Sequence, residues 1–188
     1  NTSLSYTFSS TEGGTITFVG DCSSDNNTAV ADNMTVSFAA LADGTYDTCY
    51  IKVTDSAGNS REIKVNTFTI DTIAPNLAEI DPVDTPTNDN STLSYTFSST
   101  EAGTITYGVC SGSPDNASKD NNTITFNALA DDNYTNCKIS VRDNANNTSD
   151  NLSVSSFTID TVKPVLAVVT AVKTPTDNNT PAYSFSST

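Results

Sequence analysis

Leu93-Ser-Tyr-Thr-Phe-Ser-Ser-Thr-Glu101 stands earlier in the same chain, letter for letter, as Leu4-Ser-Tyr-Thr-Phe-Ser-Ser-Thr-Glu12. Its alternation puts Leu93, Tyr95 and Phe97 on one face and hydroxyl residues on the other, the period of a half-buried β-strand. Working outward, Phe68-Thr-Ile-Asp-Thr72 returns as Phe157-Thr-Ile-Asp-Thr161, and Thr85-Pro-Thr87 returns as Thr174-Pro-Thr176 ahead of Tyr183-Ser-Phe-Ser-Ser-Thr188. The period is about 88 residues, a whole domain and not a solenoid turn. The reading is residues 1–72 as a first repeat lacking its first strand, 73–161 as a second, and 162–188 as the opening strands of a third. A window cut from a longer array explains this phase, with any signal and anchor expected outside it.

Composition agrees with a β-rich chain. The apolar share of the 188 residues is 36%, with no Trp, which is too little for one large core and enough for two small ones. Thr, Ser, Asn and Asp abound while helix formers are scarce. A formal charge of -14 repels a phosphate backbone and argues against nucleic acid as a partner. No apolar run is long enough for a membrane-spanning helix, so no membrane insertion is expected of this fragment.

Further alternation places Ile124 and Phe126, Ile139 and Val141, Leu152 and Val154, and Phe157 and Ile159 inward, with a bulge expected at Ser155-Ser156. Turn signals such as Glu12-Gly-Gly14, Asp43-Gly44 and Ser56-Ala-Gly-Asn59 separate the runs. The expectation is all-β, tandem immunoglobulin-like sandwiches of about seven strands each.

Leu41-Ala-Asp-Gly-Thr-Tyr46, then Ile51-Lys-Val-Thr-Asp-Ser-Ala-Gly-Asn59, then Asp71-Thr-Ile-Ala-Pro75, resembles the bacterial immunoglobulin-like repeats of large surface adhesins. The second repeat keeps the plan loosely as Leu129-Ala-Asp-Asp-Asn-Tyr134, Arg142-Asp-Asn-Ala-Asn-Asn147 and Asp160-Thr-Val-Lys-Pro164. The resemblance implies a stalk on a bacterial cell surface that holds an adhesive tip away from the cell. Tyr46 and Tyr134, each following a tight turn, occupy the place of a tyrosine corner.

The interval from Cys22 to Cys49 equals that from Cys110 to Cys137. One bridge inside each repeat is the expected pairing of the three that four cysteines allow, and it implies an oxidising, extracellular compartment. With no His anywhere, a thiolate zinc site is not expected. Each second Cys follows its corner Tyr by three positions, where an antibody domain has two. Either the strand bulges there, or the bridge joins neighbours within one sheet instead of spanning two.

Asp55 and Asp143 end strands before Asn-rich turns, and Asp71 and Asp160 stand at the repeat exits. With Asp84, Asp89 and the nearby Asp81, they are candidate Ca²⁺ ligands at repeat junctions, since calcium takes six to eight oxygens. The competing reading gives each Asp a turn to cap. Asn-x-Ser/Thr sequons, among them Asn116, Asn133 and Asn147, are frequent from composition alone.

No catalysis is expected, because no paired carboxylate motif, phosphate loop or nucleophile elbow occurs. The expected function is a spacer in a surface adhesin or filament, its partners being neighbouring repeats and like chains of a filament. The alternatives are a glycan- or protein-binding module, with the divergent stretch 23–32 against 111–121 as its binding loop, and a filament subunit that exchanges strands.

Overall fold

The hydroxyl–apolar alternation builds strands throughout. The computed structural model describes residues 4–188, and among them there is no helix. Residues 1–3, the start of the expected first repeat, lie outside the described residues. The chain divides into two compact units, Asn1–Ile73 and Ala74–Thr188.

In the first unit the strands are β1 (Ser5–Ser10), β2 (Gly14–Val19), β3 (Thr28–Ala29), β4 (Asp32–Ser37), β5 (Gly44–Tyr46), β6 (Tyr50–Thr54), β7 (Ser60–Lys64) and β8 (Phe68–Ile70). β1 pairs with β4, while β3-β2-β6-β7 form a four-stranded sheet, and β5 pairs with β8. Phe8 and Val36 from the first layer, and Ile16 and Ile51 from the other, are all buried in one apolar cluster. That is a two-layer sandwich.

The second unit repeats the plan. Its strands are β9 (Leu77–Asp81), β10 (Ser94–Ser99), β11 (Gly103–Tyr107), β12 (Gly112–Ser113), β13 (Asn116–Ala117), β14 (Asp120–Phe126), β15 (Asp132–Tyr134), β16 (Lys138–Arg142), β17 (Leu152–Ser153) and β18 (Phe157–Ile159). One sheet runs β12-β14-β10-β9 and the other β13-β11-β16-β17, with β15 on β18. Tyr95, Phe97, Ile124, Phe126, Ile139 and Val141 meet in its core. Burying each such side chain contributes about 1.5–3 kcal/mol, and the face-to-face aromatics Tyr134 and Phe157, 5.1 Å apart, add to it. β19 (Leu166–Thr170) and β20 (Ser184–Ser187) follow and pair only with each other.

The strand before Ser155-Ser156 does not gain a residue there, contrary to expectation. Tyr134 faces Phe157 and Lys138 faces Ser153, so the register is unchanged across the gap. Inside the gap Val154 N still donates to Cys137 O at 3.0 Å. What changes is the phase of the pleat, on both strands together: Val154 and Phe157, three apart, are both buried. Two short pairs are thereby halves of one ladder.

Gly14 and Gly103 occupy matching positions at the start of the second strand of each plan. A Cβ on either would run into the backbone carbonyl of the neighbouring strand, Thr54 or Arg142. Close strand approach requires glycine there.

Candidate functional site

The cysteines pair as Cys22–Cys49 and Cys110–Cys137, each with Cα atoms 5.3 Å apart. Cys22 lies just past β2 and Cys49 just before β6, and β2 and β6 are neighbours in one sheet. Cys110 and Cys137 stand in the same way to β11 and β16. Each bridge therefore staples adjacent strands and does not span the two layers. The pleat-phase change accounts for the spacing of three, since Tyr46 packs on the core and Cys49 is buried in it.

Tyr46 Oη donates to Ala42 O at 2.8 Å, and Tyr134 Oη to Ala130 O at 3.0 Å. The rings stack on Phe68 and Phe157. Both tyrosines thus tie the turn before the strand to the core beneath it.

The acidic residues fall into repeated local roles. Asp55 Oδ1 accepts from Ala57 N and Asn59 N at 2.9 and 2.8 Å, and its Oδ2 accepts from Asn59 Nδ2 at 2.9 Å. Asp143 does the same with Asn147 N and Nδ2, both at 2.9 Å. Hydrogen bonds from the Asn59 side chain and backbone hold the Asp55 carboxyl below its ordinary value. At Asp143 burial opposes ionisation, but the bonds from Asn147 outweigh it and the pKa is again lowered.

Asp71 Oδ1 accepts from Ile73 N at 3.1 Å, and Asp160 Oδ1 from Val162 N at 3.0 Å. Asp89 collects the Thr92 hydroxyl, Ser91 N at 2.8 Å and Thr92 N at 3.0 Å, which in that order hold its pKa down to about 2. Asp84 lines one hollow with Asp160 and another with Asp81 and Asp89. Among the described residues, however, no three of Asp81, Asp84, Asp89 and Asp160 bring carboxylate oxygens within 4.8 Å of one another. Within the second unit a different pair does approach so closely, Glu101 and Asp143.

Besides Glu101, three acidic positions escaped the sequence reading. Asp43 accepts from Thr72 N and Oγ1 at 3.1 and 3.0 Å, and Asp131 from Thr161 N and Oγ1 at 2.9 and 2.8 Å. These latch the exit of each repeat to its corner turn. Their signal was present, since Leu-Ala-Asp precedes both corner tyrosines. The third is Glu79, on β9, whose carboxylate accepts from Ser155 N and Oγ; the 188 residues hold no first-repeat position to match it. No family model matches the chain, and neither a curated protein nor a solved structure matches it.

Proposed function

We propose that this chain is a run of immunoglobulin-like spacer repeats from an extracellular bacterial stalk, with a load-resisting role and no catalytic one. The observation that carries this reading is duplication of stabilising devices. Each unit has the same bridge, the same tyrosine anchor and the same Asp–Thr exit latch. An immunoglobulin-like course is supported by Thr87, which bridges Ile159 in parallel after β9 has paired with β10, so the first strand serves both layers. Imaging of the parent assembly tests the proposal. Beaded single fibres with a distinct end support it, and reproducible glycan-array hits by the 188-residue chain, lost on altering residues 111–121, overturn it in favour of a binding module.

A second reading concerns calcium. Glu101 and Asp143 lie with carboxylate oxygens within 4.8 Å, and Asp143 is both buried and held ionised. Two anions that close favour a divalent cation between them. The melting experiment in the Discussion decides it.

A further inference from the structure

The last ladder of each unit differs between the two copies by one residue. In the first unit β7 runs against β6 without a break, from Thr54 opposite Ser60 to Tyr50 opposite Lys64. In the second unit Arg142 lies opposite Thr148, and Ile139 opposite Leu152. Three steps from 142 to 139 are therefore matched by four from 148 to 152, so one extra residue falls within 149–151. That is a β-bulge, which bends the strand and re-aims its side chains. Ser149 makes the local repair: its N donates to Val141 O, and its hydroxyl accepts from Val141 N, both at 2.9 Å.

β17 is the end strand of one layer and β9 of the other. Beside the bulge their edges enclose a hollow of about 390 Å³, within the roughly 300–1,000 Å³ of small-molecule sites. Asn76 and Leu77 line one side, and Thr148, Asp150, Asn151 and Leu152 the other. All belong to the second unit. The Asn76 backbone is fixed, since its N donates to Thr100 Oγ1 at 2.9 Å and its O accepts from Thr100 N at 3.0 Å. The side chains of Asn76, Asp150 and Asn151 are exposed, and among the described residues none of the three has a hydrogen-bond partner.

The lining selects the occupant. Its only charged residue is Asp150, too few carboxylates for calcium with its six to eight oxygens, and that charge turns phosphates and other anions away. A peptide strand needs an even edge to pair with, and the bulge interrupts this one. A carboxylate and two amides beside leucine side chains suit a ligand with many hydroxyls and apolar C–H faces. The carboxylate accepts from adjacent hydroxyls, the amides both donate and accept, and Leu77 and Leu152 cover ring C–H groups. We infer that this hollow binds a neutral sugar, one ring of a glycan, through Asp150, Asn151 and Asn76. It goes beyond the spacer reading, which needs no ligand. It also lies at the opposite edge of both layers from β12 and β13, which belong to the divergent stretch 111–121.

Titration of the ¹⁵N-labelled 188-residue chain with the methyl glycosides of glucose, galactose, mannose and N-acetylglucosamine tests this. At least one is expected to shift the amide signals of Asn76, Leu77, Asn151 and Leu152 saturably, leaving those of Ser60–Lys64 in place. Asp150→Ala, at an exposed position, weakens that binding about tenfold or more, the loss of hydrogen bonds to a charged group. Asn76→Ala, also exposed, weakens it too. No saturable shift from any of the four glycosides overturns the inference. So do shifts that Asp150→Ala leaves unweakened, and shifts centred on residues 111–121, which favour the binding-loop alternative instead.

Discussion

The carboxylate of Glu79, on β9, accepts two hydrogen bonds from Ser155, 2.8 Å from its backbone N and 2.5 Å from its hydroxyl. It ties the edge strand of one layer to the last strand of the other. Burial works against ionisation of Glu79, but the Ser155 bonds outweigh it, and its pKa is lowered. A depressed carboxyl contributes stability above its unfolded pKa and loses that contribution as pH falls through the folded value. Glu79→Ala is therefore expected to cost about 1–2 kcal/mol at neutral pH. Thermal melts down to acid pH check it: the gap from the unaltered chain closes as Glu79 protonates.

The same carboxylate lies near the buried hydroxyl of Tyr95. Burial first, and the Glu79 charge second, push that phenol's pKa up. Spectrophotometric titration of the folded chain should show two late-ionising tyrosines, Tyr107 and, later still, Tyr95. Burial first and the Asp115 charge second push Tyr107 up to about 12, and Glu79→Gln should bring Tyr95 earlier.

Tyr134→Phe keeps the ring on Phe157 and removes only the bond to Ala130 O. The expected loss is about 1 kcal/mol in the second unit, read as a lower denaturant midpoint with unchanged m-value. Tyr134→Ala costs more, about 3–5 kcal/mol, because it also empties the space beside Phe157.

Reduction of the bridges is expected to destabilise each unit by about 3–4 kcal/mol in the loop-closure model. Under pulling force the bridge also withholds chain. Each closes a loop with a sequence separation of 27, so reductant should lengthen each unfolding step by roughly 9 nm. Single-molecule traces with and without reductant measure both effects.

If Glu101 and Asp143 share a calcium ion, millimolar calcium raises the melting temperature and EDTA reverses the rise, by mass action on the native state. Glu101→Gln should abolish the response. A melt indifferent to calcium ends that reading and leaves the carboxylates to their turns.

Much of the fold was readable because alternation reports burial directly. Leu93, Tyr95 and Phe97 share a face in the sequence and are buried together at the core. The equal cysteine intervals likewise pointed to one bridge per unit. The pleat-phase change near Cys137 shows in the sequence as the step from Val154 to Phe157, but there it reads as a bulge, because only the register across both strands shows that no residue is inserted. The role of Glu79 was not legible, because its partner Ser155 is distant in sequence. The Asp43 and Asp131 latches were missed for another reason: Asp in a turn is so common that its reach to Thr72 or Thr161 needs coordinates to see. The same commonness makes the turn caps at Asp55 and Asp143 hard to tell from metal ligands by sequence.

Because each bridge runs between neighbours in one layer, no covalent link in the described residues crosses from layer to layer. The two faces of a unit adhere by apolar packing, side-chain ties and the connecting turns. Under strain each unit is therefore expected to part between its sheets first, which cysteine-labelling of the core under load would read. The bridges would then still hold β2 beside β6 and β11 beside β16, so the parted layer has a neighbour kept in place to re-form on.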